Sequence, residues 1–128
     1  MKNYGALLVI LLIIVVGLLI YQFQPSQSLN WCVIQDVNGD TLDIEVASSE
    51  TWQQLLDMQA SGLRKWVGGK LINAANNWGF TFDPDTIVVT DVTAEALQTT
   101  LRLIKQDPDY WFAMGTCYVS AIVLPEQV

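Results

Sequence analysis

The apolar run from Gly5 to Phe23 constrains this chain more than any other feature of its sequence. The run contains no charged residue, and Gln22 is its single amide side chain. With a rise of about 1.5 Å per residue, a helix of this length is about long enough to cross the hydrocarbon core of a bilayer. The sequence therefore predicts a transmembrane helix over residues 5–23, and a membrane as one partner.

The residues that flank the run predict its orientation. Tyr4 precedes the run, and Tyr21 and Phe23 lie at its end, where aromatic rings favour the headgroup boundary. Lys2 is the only cation nearby, so the positive-inside rule places residues 1–4 in the cytoplasm as a short tail. The rest of the chain is then expected on the far side, in a periplasmic, lumenal or extracellular compartment.

The segment after the run divides into a linker and a domain. Residues 24–30 are polar and contain a proline, which predicts a short tether, and residues 31–128 are expected to form one extracytoplasmic domain. A cleaved signal peptide is the alternative, since Ser26 and Ser28 suit a cut before Leu29. The length of the apolar run favours a retained anchor.

Charge and composition exclude some classes of function. From Leu29 onward the chain has five basic and 13 acidic residues, a net charge of −8. Phosphate backbones would repel such a domain, so nucleic acid is not expected as a partner. The 128 residues include no histidine, the side chain most used for acid–base work near neutral pH. We predict no catalytic residue and no cofactor.

The two cysteines, Cys32 and Cys117, lie near the two ends of the predicted domain. Outside the cytoplasm, a widely separated pair favours a disulfide over a metal site, which needs more ligands. A bridge across a loop of this size would contribute about 4 kcal/mol in the chain-entropy model. The alternative is two free, buried thiols.

The domain opens with a predicted β-hairpin, WCVIQDVNGDTLDIEV. Asn38 and Gly39 favour a two-residue type I′ turn, and both flanks alternate in polarity. The turn sets the register, which places Cys32 on the same side as Asp43 and Glu45. The opposite face then carries six apolar residues: Trp31, Val33, Val37, Leu42, Ile44 and Val46.

The rest of the domain alternates between helix and strand signals. Ser48 or Ser49 is expected to cap the first helix, which ends at Gly62, and Thr93 to cap the second. This order predicts an α+β domain, an antiparallel sheet of about five to six strands covered by two helices. The predicted helices cover 50–61 and 94–107, and the further strands cover 63–72, 78–82, 86–92 and 116–124.

Two aspartates lie at the corner between two of these strands. Pro84 pre-sets φ there and Asp83 can accept from backbone amides, which indicates a turn. A metal site is the weaker alternative, because Asp83 and Asp85 would need further carboxylates such as Asp91 and Glu95.

Three consecutive aromatic residues, Tyr110, Trp111 and Phe112, lie in a predicted loop between Pro108 and Gly115. In an extended backbone, three consecutive rings cannot all face one core. Tyrosine and tryptophan are over-represented among residues that dominate interface energies, so these three are the predicted interaction site. The alternative is that they only cover a small core.

One motif resembles a known family. Residues 78–87, WGFTFDPDTI, match the Trp-x-Phe-x-x-Asp-Pro-x-Thr-Ile signature of the BP-seventy-four N-terminal domain family, and Glu95 matches the glutamate of its following helix. The resemblance covers about residues 42–123. It implies an α+β fold without a known reaction and without a catalytic residue to carry over.

The chain departs from this family at two positions. Members usually have histidine where Thr81 stands and cysteine where Leu97 stands. The family cysteine pairs with one that matches Cys117, so the resemblance implies that Cys32 is a relocated partner.

Three functions fit the sequence. We expect a non-enzymatic, membrane-anchored interaction or accessory subunit, whose partners are other subunits of a larger membrane complex. The first alternative is an extracytoplasmic module that binds a ligand or calcium. The second is a carboxylate-dependent hydrolase, which is less favoured because no nucleophile–base pair is visible.

Overall fold

The structure is a computed structural model that describes residues 9–16 and 29–126. Residues 9–16 form a helix, α1, with exposed side chains. Within the described ranges, no helix has both the length and the apolar character that crossing a bilayer requires. The predicted transmembrane helix over 5–23 and the tether over 24–30 lie mostly outside the described residues.

Seven strands form one sheet that is nearly closed into a barrel and is antiparallel except at β6, so the predicted α+β class is confirmed and the predicted number of five to six strands is too low. The main path runs β2-β1-β7-β3-β4, with β5 on β3 and β6 parallel to β7. The last strand in sequence, β7, is therefore central. The strands are β1 (Asn30–Asp36), β2 (Thr41–Val46), β3 (Lys65–Asn73), β4 (Phe80–Phe82), β5 (Val88–Thr90), β6 (Gln98–Thr99) and β7 (Thr116–Val123).

The first helix of the domain, α2 (Ser49–Ser61), begins and ends as predicted. The Ser48 hydroxyl accepts from the Thr51 amide at 3.3 Å. At the other end, Gly62 has a positive φ of 71° and donates to the Met58 carbonyl at 2.8 Å. Leu55 and Met58 are buried, so the helix covers the sheet through one apolar stripe.

The second predicted helix, over 94–107, is correct only in its last part, over Leu101–Gln106. A 3₁₀ turn at Glu95–Leu97 leads into β6, in which Thr99 is buried opposite Val119 of β7. Thr100 then caps a shorter helix, α3 (Leu101–Gln106), by accepting from an amide in its first turn. Threonine loses side-chain freedom inside helices and is favoured in strands and at caps, which explains the break.

The predicted aromatic loop is also helical. Helix α4 (Pro108–Met114) begins with proline at its first position, where the missing amide costs no hydrogen bond. The Asp107 carboxylate caps it by accepting from the Tyr110 amide at 3.4 Å. Gly115 ends the helix with a φ of 84°.

The β1–β2 hairpin has a three-residue loop and not the predicted type I′ turn. The Asp36 amide donates to the Asp40 carbonyl at 2.9 Å, and the Gly39 amide donates to the Asp36 carbonyl at 3.1 Å. Gly39 has a φ of 83°, whereas Asn38 has no positive φ. A type I′ turn needs both, so the geometry is a type I turn followed by a glycine bulge.

The longer loop shifts the register by one residue and exchanges the two faces of β1. Cys32 pairs with Ile44, and both are buried in the core. Trp31 lies opposite Glu45 and points outward, with 62% of its surface exposed. The predicted apolar face is therefore correct for β2 and wrong for β1.

The buried carboxylate of Asp36 holds the hairpin loop against α3. It accepts from the amides of Asn38 at 2.9 Å and Asp40 at 3.1 Å, and from the Leu101 amide at 3.1 Å. Only 2% of Asp36 is exposed. One carboxylate thus satisfies backbone donors from two separate elements.

The corner at Asp83 carries the chain from β4 to β5 along the same edge of β3. The Asp83 amide donates to the Lys70 carbonyl at 2.8 Å, while the Lys70 amide donates to the Thr86 hydroxyl at 2.9 Å. Gly69 packs against this corner, where a Cβ would lie 2.8 Å from the Thr86 hydroxyl oxygen. The glycine is needed because backbone and corner approach so closely.

Side chains close the junction between β2 and β4, which we call the seam. The Trp78 indole N–H donates to the Thr41 carbonyl at 2.8 Å, and the Thr81 hydroxyl donates to the Asp43 carbonyl at 3.1 Å. These bonds satisfy carbonyls on the outer edge of β2, which would otherwise be a free strand edge. The sheet is thus closed by side chains where the strand ladder ends.

Candidate functional site at the Trp31 end of the seam

Trp31 is the most exposed tryptophan among the described residues, and the register of β1 explains its exposure. It lies on the outward face of β1, one residue before the buried Cys32. Within residues 29–126 its ring has no aromatic or cation–π partner. Large rings at the surface beside a groove are typical of contact surfaces, so Trp31 is the centre of the candidate site.

A groove of about 440 Å³ lies along the outer face of the seam, and we call it the seam groove. Asp43 and Glu45 flank the buried Ile44, so both point outward into the groove. Residues two apart on a strand lie about 7 Å from each other on one face. The other walls are largely apolar and include Trp31, Ile72 and Pro84.

The two carboxylates of the seam groove form no ion pair within the described residues. Within 29–126, ion pairs join Arg102 to Asp40 at 2.7 Å and Lys65 to Asp91 at 3.4 Å. Neither pair includes Asp43 or Glu45. A ligand that enters this groove meets two carboxylates and an indole ring.

A second groove lies on the other side of Trp31, between β1, α2 and the residues after β7. We call this space, about 310 Å³, the helix cleft. Its position is fixed by Gln59, whose amide donates to the Leu124 carbonyl at 2.9 Å. The helix cleft is lined mainly by apolar side chains, including those of Trp31, Val33, Trp52, Leu56, Leu124 and Pro125.

The opposite end of β2 also has an indole ring and a carboxylate, but there both contact cations of the chain. There the Lys105 ammonium lies 5.3 Å from the centroid of the Trp78 ring, and Arg102 pairs with Asp40. We call this end the Trp78 end of the seam. We call the end at Trp31, where the seam groove lies, the Trp31 end. At the Trp78 end, cations of the chain itself therefore contact both the ring and the carboxylate.

The predicted disulfide is not present, because Cys32 and Cys117 are free thiols on distant parts of the sheet. The pairing of Ile34 with Val123 places Cys32 opposite position 125 of the neighbouring segment. Cys117 is eight residues away along that direction, about 26 Å at the rise of a strand. A disulfide requires Cα atoms within about 7 Å, so the expectation is corrected to two free, buried thiols.

Burial makes both thiols unreactive. It raises the pKa of Cys117 to about 12. It raises the pKa of Cys32 to about 12 as well, with a smaller contribution from the negative charge of Asp43. Since the thiolate is the nucleophile, neither cysteine is a candidate catalytic group at neutral pH.

The three predicted aromatic residues do not form one exposed surface. Trp111 is only 9% exposed and belongs to the core, whereas Tyr110 is 50% exposed. Phe112 is half-buried against the core. Successive residues of a helix point about 100° apart, so α4 turns Trp111 inward and Tyr110 outward. Trp111 as an exposed anchor is therefore wrong.

The four acidic residues of the weak metal alternative are not brought together. Asp83 caps the 3₁₀ turn at Pro84–Thr86 by accepting from the Asp85 amide at 3.1 Å, which confirms the turn interpretation. Asp91 pairs with Lys65, and Glu95 begins a separate 3₁₀ turn. In the described part of the chain, no group of three or more potential metal ligands occurs.

Comparisons with protein-family models, with curated proteins and with solved structures find no match. The resemblance of residues 78–87 to the BP-seventy-four N-terminal domain family therefore stays a prediction.

Proposed function

We propose that this chain is a single-pass membrane protein whose outer domain is an interaction or accessory subunit of a larger membrane complex. The observation that carries the proposal is the exposed indole of Trp31 between the seam groove and the helix cleft. The domain works by contact, with Trp31 as its anchor.

The position of Trp31 in the chain supports this proposal. The predicted membrane helix ends at Phe23, eight residues earlier. A chain spans at most about 3.4 Å per residue, so Trp31 lies within about 27 Å of that end, whatever the path of the tether. Outer parts of a neighbouring membrane subunit lie within that reach.

The surface around Trp31 also has the composition of a contact site. Leu29, just before β1, is 40% exposed and continues the apolar surface that Trp31 begins. A ring of this size, set between two concave surfaces, can be fully desolvated by a partner. Such anchors carry most of the binding free energy in many interfaces.

Copurification after extraction in mild detergent tests the proposal. Replacing Trp31 with alanine should weaken partner association by about 2 kcal/mol, roughly 30-fold, and leave the circular dichroism spectrum unchanged. The matched control is Leu103→Ala, since Leu103 is 47% exposed but lies on α3 and lines neither groove. Retention of partners at wild-type levels by Trp31→Ala would contradict the proposed anchor.

The membrane anchor needs a separate test. We expect the mature protein to keep residues 5–23, because an uninterrupted apolar run of this length is typical of a retained span. Intact-mass analysis of protein purified from membranes checks this. A mature N-terminus at Leu29 would show a cleaved signal peptide and end the single-pass proposal.

A further inference from the structure

Resting on the proposed function, we infer that the seam groove binds a basic segment of the partner protein. The segment is extended and carries arginine or lysine at alternate positions. One cation faces Asp43, and the next lies between Glu45 and the Trp31 ring.

The spacing of the groove supports such a ligand. Asp43 and Glu45 point into it from one face of β2, about 7 Å apart. Alternate side chains of an extended peptide repeat at the same distance. Two basic residues separated by one other residue therefore match the two carboxylates.

Trp31 adds a second contact for the same cation. It lies directly opposite Glu45 in the β1–β2 pairing, so the indole and the carboxylate are cross-strand neighbours. A guanidinium group can stack on an indole face while it donates to a carboxylate, and arginine is well suited to both contacts. Its aliphatic stem can pack on apolar walls such as Ile72.

The Trp78 end of the seam shows the same pairing of groups already made within the chain. There Lys105 lies against the Trp78 ring, and Arg102 donates to Asp40. At the Trp31 end, the described residues place no cation within ion-pair distance of Asp43 or Glu45. The domain also has a net charge of −8, so its overall field attracts a basic segment.

The test uses the full-length protein in a mild non-ionic detergent, with ¹⁵N-labelled tryptophan. The probe is a blocked Arg-Gly-Arg peptide, and blocked Glu-Gly-Glu and Gly-Gly-Gly peptides are its controls. We expect the Arg-Gly-Arg peptide alone to shift the indole N–H resonance of Trp31, which a Trp31→Phe variant assigns. Binding should weaken severalfold as salt rises from about 0.02 to about 0.3 M.

A pair of double variants separates this site from general charge attraction. Asp43→Asn with Glu45→Gln should weaken peptide binding about tenfold, because both changes remove charge from the groove. Glu95→Gln with Asp109→Asn changes the net charge equally at exposed sites outside the groove, and should change affinity by less than about twofold. Equal weakening by the two double variants would overturn the inference.

Two further outcomes would also overturn it. One is a Trp31 shift no larger with Arg-Gly-Arg than with the control peptides. The other is a Trp31 shift when the non-ionic detergent is replaced by a phosphocholine detergent but none with Arg-Gly-Arg, which would identify a lipid headgroup as the occupant. If Trp31→Ala loses the copurified partner while Asp43→Asn with Glu45→Gln keeps it, the proposed function stands and the basic-segment inference fails.

Discussion

The two ends of the seam combine an indole ring with carboxylates on or beside β2, yet they differ in what surrounds these groups. At the Trp78 end, the ring donates to the Thr41 carbonyl, and Lys105 and Arg102 supply the cations. At the Trp31 end, the ring is 62% exposed and the carboxylates face a groove. Similar chemistry thus closes the fold at one end and stays accessible at the other.

The exposure of one aromatic ring therefore has meaning only beside the surroundings of a similar ring in the same fold. Trp78 packs against Phe80 and the core, with ring centroids 6.1 Å apart. Its removal should cost stability, whereas removal of Trp31 should cost association. Substitutions at the two ends measure these two roles separately.

The largest effect is expected from Asp36, which positions the Trp78 end through the hairpin loop. Asp36→Ala should lower the free energy of unfolding by about 3 kcal/mol or more, because three backbone amides lose a buried charged acceptor. Urea unfolding followed by circular dichroism measures this. Asp85→Ala is the control, and this exposed residue should change stability by less than about 0.5 kcal/mol. A loss below about 1 kcal/mol for Asp36→Ala would mean that the Trp78 end is not held as described.

A direct contrast between the two tryptophans comes next. Trp78→Ala should destabilise the domain by about 2–3 kcal/mol, since it removes core packing and the hydrogen bond that closes the seam. Trp31→Ala should stay within about 0.5 kcal/mol of wild type. Equal losses in parallel urea titrations would show that Trp31 is structural and would contradict its role as an exposed anchor.

We expect the two buried thiols to make the stability of the domain depend on pH. The pKa of each thiol is about 12 in the fold, against an ordinary value of 9.0. Between pH 9 and pH 12 the unfolded chain releases thiol protons that the native state keeps. The free energy of unfolding therefore has its full value below pH 9 and falls as pH rises toward 12. The slope is at most about 1.4 kcal/mol per pH unit for each thiol. A Cys32→Ala, Cys117→Ala variant should lose less stability than wild type over the same interval.

Alkylation of the native protein near neutral pH adds a positional test. Cys32 follows the exposed Trp31 on β1, whereas Cys117 lies in the central strand. If the Trp31 end is as well packed as the structure shows, both thiols should react only as fast as the domain unfolds. Much faster labelling of Cys32 would indicate that this end frays, and that Trp31 is exposed by fraying and not for contact.

The smallest effect is expected from the ion pair at the Trp78 end. The Arg102 side chain is 59% exposed, so Arg102→Gln should cost no more than about 0.5 kcal/mol, and less at high salt. Thermal unfolding at low and high ionic strength measures the difference. A salt-independent loss above about 1 kcal/mol would mean that this pair does more than neutralise the surface.

Local signals in the sequence were sufficient for several elements. Ser48 caps the start of α2 and Gly62 caps its end, and both caps involve only neighbouring residues. The corner at Asp83 and Pro84 follows from turn chemistry in the same way. In these places the physical cause lies within a few residues, so the sequence alone is enough.

Which face of β1 is buried depends on residues that are distant in sequence. Asn38–Gly39 favours a two-residue turn, but aspartate at 36 and glycine at 39 also fit the first and last positions of a type I turn. The second pattern prevails while the Asp36 carboxylate binds two loop amides and the amide of Leu101. Because Leu101 is distant in sequence, no local motif decides between the turns, and the exposure of Trp31 depends on that decision.

The first part of the predicted helix over 94–107 is wrong for a related reason. Residues 94–107 have helical periodicity, but Thr99 finds a parallel partner in Val119 of β7. The seam is equally non-local, since Trp78 and Thr81 bond to carbonyls of β2. Pairing between distant segments outweighs local preference at these positions.

The central place of β7 has a consequence for how the domain is made. This strand, Thr116–Val123, pairs with β1 and β3, and β6 also lies against it. A chain synthesised from its N-terminus therefore cannot complete the strand pairing of the sheet until residues 116–123 have emerged. Folding must await long-range pairing, which is slow and leaves strand edges open in the meantime. We expect nascent chains that stop before β7 to be substrates for chaperones and proteases.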